Sequence, residues 1–214
     1  MRPPPRKGLA SAGPAAEDVI AAVGIVGSTA YGLARPGSGI DRLGVFAVPT
    51  EGLHGLHRPQ ESHVTHEPDR TVHQAAKRAR LALRGNPTVP ELVWLSDELY
   101  EVRTSIGDEL IGIRSAFPSA SRVCAAYLGY TTQQFKRLYD RRGSSSSADV
   151  HRRTAKHARH LRRPCHQGYR LYATGRPDIR VDDPDLYFAF GEAPVEAWLR
   201  RVRAQHCTRE KTDA

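Results

Sequence analysis

The chain has 214 residues, enough for one large domain or two small ones, and 39% of its residues are hydrophobic. It carries 32 Lys or Arg against 23 Asp or Glu, a formal net charge of +9, which favours anionic partners such as nucleotides, nucleic acid or an acidic protein. No apolar run approaches the roughly 18 residues of a transmembrane helix, so the composition predicts a soluble globular protein that does not enter a membrane.

The three cysteines, Cys124, Cys165 and Cys207, are far apart and include no C-x-x-C pair. Neither a disulfide framework nor a zinc module is indicated, and a reducing cytoplasm fits best. Pro, Ala and Gly dominate residues 1–16, which we expect to form a disordered arm without the apolar segment of a secretory signal.

Short strands are predicted in the first third of the chain. Residues 17–22 (EDVIAA) form a short helix or helix end, and residues 23–26 a brief, mostly β-branched strand that stops at Gly27. Residues 43–48 are a second strand ended by Pro49, and residues 63–67 (HVTHE) are a third. The first two strands are separated by a loop rich in Gly, Pro and Ser.

A helix is predicted from Val72 onwards. Pro68 and Asp69 supply a start signal, with Thr71 as a further cap candidate. Gly85-Asn86-Pro87 provides the expected C-terminal stop. The apolar positions fit one face of this helix, and the opposite face is expected to be basic, carrying Lys77, Arg78, Arg80 and Arg84.

The rest of the chain is predicted to be largely helical. Residues 87–95 form a short helix or turn that adds LVWL (residues 92–95) to a core, and residues 106–117 and 121–142 form amphipathic helices. Residues 143–147 are a Gly-Ser linker, and residues 148–175 are a basic helix in which Pro164 favours a kink. Strands crowd the first third and helices fill the rest, so the predicted class is α+β.

The predicted organisation therefore has four parts. A disordered arm (1–16) precedes an α/β core built on a small mixed β-sheet (17–100). A mainly helical portion (101–191) and a helix with a frayed tail (192–214) follow. The description of the core rests on the motifs set out next.

GSTAYGLARPGSGID, residues 27–41, joins the first two predicted strands. At the end of a strand, Gly27 allows the backbone to come close to a phosphate, and Ser28 offers an N–H and a hydroxyl. A simple turn is the alternative. No Lys-Ser or Lys-Thr follows the G-x-x-x-x-G spacing, which excludes a P-loop.

A wider set of motifs follows in order: Ala-Tyr-Gly, one Asp before Leu-Gly-Val, then ESHVTHEPDRTVH, RLALRGNPTVPELVWL and the basic TAKHARHL. Over roughly residues 23–183, the set resembles the DNA polymerase beta-like nucleotidyltransferases, in particular the bacterial and phage group found associated with RNA ligases. The resemblance implies transfer of a nucleoside monophosphate from an NTP to a hydroxyl acceptor. It also implies two Mg²⁺ (or Mn²⁺) ions, held by an Asp-x-Asp pair and a third carboxylate on a neighbouring strand.

Carried over by position, the resemblance implies that Gly27 and Ser28 grip the triphosphate and that Asp41 is the second acid of the pair. The first acid falls on Gly39, and an acid often found two residues earlier falls on Gly37. Because glycine offers no ligand, we expect an impaired metal site.

Two acids are candidates for the third carboxylate, which would bind metal. Glu67 lies at the end of the third predicted strand, and Asp69 lies just beyond it. Asp69 is preferred as the catalytic acid, because an acid there would also cap the following helix, and that capping is its alternative role.

Further residues are candidates for nucleotide binding. Tyr31 would stack on a base, Arg42 would pair with phosphate, and Lys77 would reach the nucleotide from its helix. By the resemblance, Lys156 and His160 belong to a basic K-H-x-x-H-L-x-R element that lines the nucleotide or acceptor cleft. The alternatives are a half-buried loop aromatic at Tyr31 and solvated basic residues at the other four positions.

Three functions follow from these observations. The first is a metal-dependent nucleotidyltransferase acting on RNA, protein or a small molecule. The second is an inactive member of the same family that binds nucleotide or RNA, which the glycine at position 39 favours. The third is an unrelated basic RNA-binding domain, although no aromatic RNA-binding motif is present.

Overall fold

The computed structural model of the chain describes residues 18–54, 56, 58–140 and 148–192. The predicted N-terminal arm, the linker at 143–147 and the tail from residue 193 lie outside the described residues. The chain divides into two compact units, Met1–Tyr127 with Gln167–Val181 and Leu128–His166 with Asp182–Ala214. None of the described helices is long and apolar enough to cross a membrane. The four-part organisation stays a prediction.

The first unit contains a five-stranded mixed sheet, which confirms the predicted α+β class. Its strands in chain order are β1 (Val19–Val26), β2 (Asp41–Ala47), β3 (Ser62–His66), β4 (Asp69–Gln74) and β5 (Tyr100–Arg103). Their order across the sheet is β3-β4-β2-β1-β5. Strands β2 and β4 run parallel, and the other neighbours are antiparallel.

The predicted helix at residues 17–22 is wrong from residue 19, because β1 already begins at Val19. This strand pairs with β2 on one side and β5 on the other, and Ala21 and Ala22 are both buried within it. Hydrogen bonds from two neighbouring strands outweigh the helical preference of alanine at this central position.

The predicted helix start at Pro68 and Asp69 is also wrong. Glu67 and Pro68 form the turn between β3 and β4, and the chain stays extended to Gln74 before the helix begins at Ala75. Strand β4 is paired on both sides, by β2 and by β3, and those two ladders decide the conformation of Thr71 and Val72. Strand β5 was not predicted.

The helices are short near the sheet and longer towards the C-terminal end. The 3₁₀ segments are Val89–Trp94, Asp97–Leu99 and Arg114–Ala116. Helix α6 continues through Pro164. Helix α3 is followed by Gly85, which has a φ of +73° and ends the helix as predicted. The helices are α1 (Gly27–Ala30), α2 (Thr50–Leu53), α3 (Ala75–Leu83), α4 (Ser105–Gly112), α5 (Ala120–Asp140), α6 (Ala148–Thr174) and α7 (Pro184–Glu192).

The two sheet faces carry different side chains. One face presents a core cluster of Val23, Phe46 and Val72, all buried. The strand registers place Asp41 and Asp69 on the other, which we call the acid-bearing face. Further along the strands the acid-bearing face is covered, since a Cβ built on Gly24 would meet the side chains of Leu95 and Leu92.

The second unit includes parts of three helices. Within it, Tyr187 of α7 is buried, and its hydroxyl lies 3.2 Å from His166 Nδ1 of α6. The guanidinium of Arg162 lies 5.1 Å from the centre of the Tyr187 ring. Burial raises the pKa of the Tyr187 hydroxyl, so this group stays protonated at neutral pH.

Candidate active site

The end of β1 brings a glycine and an acid into direct contact. Val26 pairs with Asp41 in the β1–β2 ladder, and Gly27 follows with a φ of +67°. A Cβ built on Gly27 would overlap Oδ2 of Asp41. The carboxylate of Asp41 therefore lies directly against the backbone of the Gly-Ser turn, and only glycine allows that approach.

Ser28 is half-buried beside this carboxylate. Its carbonyl oxygen accepts a hydrogen bond of 2.8 Å from the Leu33 N–H. Its hydroxyl has no hydrogen-bond partner among the residues that the structure describes. A hydroxyl at the end of a strand, next to a glycine backbone, is suited to hydrogen-bond an incoming phosphate oxygen.

The parallel pairing of β2 with β4 brings a second acid to the same sheet end. The first paired residues are Arg42 and Arg70, and Asp41 and Asp69 each precede them by one position. Neighbouring strands lie about 4.8 Å apart, and residues at equivalent register positions of parallel strands share a sheet face. The register therefore places both exposed acids on one sheet face at the same sheet end.

Glu67 differs from Asp69 in its position. It lies in the exposed turn between β3 and β4, outside both strands. No strand register therefore holds its carboxylate beside Asp41, whereas Asp69 begins β4 and is held there by the sheet.

The acids present determine which metal site is possible. Within the described residues, no group of three or more His, Cys, Asp or Glu side chains could hold a metal ion. Gly39 has an ordinary φ, and a Cβ added to it would have nothing within 4 Å, so this position is open but offers no ligand. Two carboxylates fit Mg²⁺, which binds to one or two carboxylates together with substrate phosphates.

Arg42, an expected phosphate partner, is directed away from the two acids. Consecutive strand residues point to opposite faces, so Arg42 lies on the face that Asp41 does not occupy. There its Nε donates to both carboxylate oxygens of Glu101, each at 2.8 Å. The structure does not bring Arg42 together with Asp41.

Tyr31, an expected base-stacking residue, is only 4% exposed. Its N–H donates to Gly27 O and its carbonyl oxygen accepts from the Val181 N–H, both at 3.1 Å. A buried ring presents no exposed face on which a base could stack, so Tyr31 has a structural role in the loop. The alternative role predicted for Tyr31 was a half-buried loop aromatic, and the side chain is more deeply buried than that alternative supposed.

Lys77 lies over the acid-bearing face, in a polar cluster that the sequence did not predict. Its Nζ donates to Ser62 Oγ at 2.6 Å, and the same oxygen lies 2.7 Å from His73 Nδ1. Ser62 and His73 are register partners in β3 and β4. His73 follows Asp69 by four residues, about 13 Å along the strand, so Lys77 lies on the correct face but away from the acids.

Burial and charge affect the histidine of this cluster. Burial first, and then the positive charges of Lys77 and Arg78, lower the pKa of His73. His73 is therefore neutral at physiological pH and can share a hydrogen bond with the Ser62 hydroxyl. Period-2 alternation along residues 69–73 was the signal that could have placed His73 and Asp69 on one face.

Lys156 and His160 lie within helix α6, but their side chains are outside the described residues. Their role at the nucleotide or acceptor cleft stays a prediction.

Comparison with known families adds one finding to this geometry. The model of the RlaP family, described as the RNA repair pathway DNA polymerase beta family, matches residues 15–184, well over half of the chain. That range includes Gly27, Asp41 and Asp69. No curated protein matches the chain.

Proposed function

Because the chain belongs to the RNA repair pathway DNA polymerase beta family, we propose that it is a nucleotidyltransferase that moves a nucleoside monophosphate from an NTP to a hydroxyl acceptor. The family supports the reaction class. The observation that carries the proposal for this chain is that Asp41 lies against the Gly27 backbone and shares its sheet face and sheet end with Asp69.

Each part of this site has a separate task. Gly27 lets the triphosphate come close to the main chain, and the Ser28 N–H and hydroxyl donate to its oxygens. Asp41 and Asp69 would hold a divalent cation, Mg²⁺ or Mn²⁺, by their carboxylate oxygens. When bound, that ion neutralises phosphate charge and promotes attack by the acceptor hydroxyl on the α-phosphate.

The transfer itself is a substitution at phosphorus. The acceptor hydroxyl loses its proton to water as its oxygen bonds to the α-phosphorus, the bond from that phosphorus to the bridging oxygen breaks, and pyrophosphate leaves. The chain contributes positioning and electrostatics to this step, which together supply most of the catalysis in phosphoryl transfer. RNA is the acceptor class that the family description and the net charge of +9 favour.

A second candidate function is nucleotide or RNA binding without turnover. It rests on Gly39, which stands where the resemblance places the first acid, and on the two acids that remain. Losing one of three carboxylates weakens the binding of the divalent cation, whose charge contributes several kcal/mol of transition-state stabilisation.

Labelled NTP separates the two candidates. The full chain is incubated with each labelled NTP, Mg²⁺ or Mn²⁺ and a pool of RNA and protein acceptors, and NTP binding is measured in parallel by equilibrium dialysis. A transferase labels an acceptor, and Asp41→Asn removes that label. Binding without label in the wild type supports the second candidate, and absence of both refutes the proposed site.

A further inference from the structure

Arg78 is a buried cation with unused hydrogen-bond donors. It was expected on an exposed basic face of α3, but it is 2% exposed. Its Nη2 donates to Val89 O at 3.0 Å. Its Nε and Nη1 are buried with no hydrogen-bond partner among the described residues. Burial lowers the pKa of Arg78 to about 10, so the guanidinium is still charged at neutral pH.

This arrangement is unfavourable as it stands. A buried guanidinium normally has an anionic partner or a full set of hydrogen-bond acceptors, because an uncompensated buried charge destabilises the folded state. The two unpaired donors, Nε and Nη1, lie on different sides of the guanidinium, because the Nε–H points to the side of Nη2. Each of them can therefore bind one oxygen separately.

Arg78 also lines a pocket. It lies between α3, the 3₁₀ segments and the start of α5, and Arg78 and Arg114 both line it. Its volume is about 20 Å³, room for about one water molecule. The remaining lining is apolar or aromatic and contains no acid, with Gly85, Trp94, Phe117 and Val123 among its members.

Arg114 and Trp94 form the more accessible side of this pocket, since both are only half-buried. The guanidinium of Arg114 lies 4.4 Å from the centre of the Trp94 ring, and its Nη1 donates to Val93 O at 3.2 Å. Arg176 lies 5.5 Å from the same ring. Stacking on the indole orients the Arg114 guanidinium beside the pocket. No acid among the lining residues neutralises its charge.

We propose that this pocket is an anion site that receives one oxygen of a phosphate group, with Arg78 at its buried end and Arg114 at its mouth. Two lining cations without an acid favour a dianion over a carboxylate or chloride. The small volume admits one phosphate oxygen, so the rest of the group lies at the mouth. Free phosphate and a terminal phosphate monoester share this chemistry.

The test titrates the full chain with inorganic phosphate at constant ionic strength, following Tm and calorimetric binding. Chloride and acetate serve as monoanions, and AMP serves as a monoester. We expect phosphate to raise Tm and bind at one site, with little response to the monoanions. A response to AMP equal to that for phosphate identifies a monoester site, and a response to phosphate alone identifies a free-phosphate site.

Three variants locate the binding. Arg78→Met removes the unpaired charge while keeping an unbranched apolar stem, so we expect Tm without phosphate to be unchanged or higher and phosphate affinity to fall at least tenfold. Arg84→Met, an exposed arginine at the end of the same helix, should keep the response. Ser28→Ala should also keep it, which separates this pocket from the triphosphate grip.

Several results would overturn the proposal. The first is a wild-type protein that does not respond to phosphate, which would mean that water satisfies the Arg78 donors. The second is an unchanged phosphate response in Arg78→Met, and the third is a lost phosphate response in Ser28→Ala. If Arg78→Met does not fold, Arg114→Gln decides in its place: an unchanged phosphate affinity in that variant rejects the site, and a fall of about threefold or more supports it.

Discussion

Gly27 and Asp41 lie in contact across the end of the β1–β2 ladder, with the Asp41 carboxylate occupying the space where a Gly27 side chain would be. Position 27 therefore requires glycine for two reasons. Its φ of +67° is a conformation that other residues adopt at a cost, and its missing Cβ makes room for the acid.

Gly27→Ala should destabilise the fold by about 2 kcal/mol, roughly half from the left-handed backbone and the rest from overlap with Asp41. Urea unfolding measures the loss. Gly37→Ala is the matched control, because Gly37 has a φ of +84° with nothing within 4 Å of an added Cβ, so it tests the backbone part alone. Equal losses in the two variants would show that the contact with Asp41 contributes nothing.

Gly39→Asp should strengthen the metal site. The backbone at Gly39 suits any residue and the space around it is open, so the new carboxylate is accommodated without strain. We expect Mn²⁺ affinity in the presence of NTP to rise about tenfold, or ~1.4 kcal/mol. Ser38→Asp adds the same charge one residue earlier, at an exposed position without a positive φ, and should not match that gain. A Gly39→Asp protein that binds Mn²⁺ no better than wild type contradicts the alignment of this position with the first acid.

Arg42→Gln should leave nucleotide binding and any transfer within about twofold of wild type, because Arg42 is engaged by Glu101 on the opposite sheet face. The partly exposed ion pair should contribute about 0.5–1 kcal/mol to stability. A double-mutant cycle with Glu101→Gln measures that coupling by chemical unfolding. A loss of NTP affinity of tenfold or more in Arg42→Gln would contradict this prediction and indicate that Arg42 binds the nucleotide.

Stability should fall with acidity through His73. Its pKa is lowered in the folded protein, so below about pH 6.5 the unfolded chain binds a proton that the folded chain does not. The free energy of unfolding therefore decreases as the pH falls from about 6.5 towards the folded-state pKa. Urea titrations at several pH values should show a shallower decrease in His73→Gln, while His66→Gln, an exposed histidine of the same hairpin, keeps the wild-type slope.

The strand–turn–loop–strand unit around the acids was predictable, because β-branched runs ended by Gly27 and Pro49 are local signals. The strands predicted at 23–26, 43–48 and 63–67 fall within β1, β2 and β3, apart from Val48 and Glu67, which lie one residue beyond the ends of β2 and β3. The resemblance to polymerase beta-like nucleotidyltransferases, carried by these motifs, is confirmed by the family match.

Strands β4 and β5 could not be found in the same way. Pro68 and Asp69 give the local signal of a helix start, and only the pairing of β4 with two other strands overrides it. The four residues of β5, YEVR, alternate between apolar and charged side chains, but the run is only four residues long and mostly exposed, which is too weak a signal for a strand. Arg78 was misplaced for a related reason, since a charged residue on a helix is expected in solvent.

The choice between Asp69 and Glu67 shows what the structure adds. Both acids were candidates because they are two residues apart in a segment whose conformation was predicted wrongly. Once β4 begins at Asp69 and runs parallel to β2, the register singles out the acid beside Asp41.

Calorimetric titration of Mn²⁺ into the full chain, with a non-hydrolysable NTP analogue present, tests the pairing of Asp41 with Asp69 most directly. It needs no turnover, so it applies to an active and an inactive protein alike. We predict that Asp41→Asn and Asp69→Asn each weaken Mn²⁺ binding at least tenfold, whereas Glu67→Gln binds like wild type. Normal binding in Asp69→Asn together with weakened binding in Glu67→Gln would contradict the two-acid site described for this sheet end.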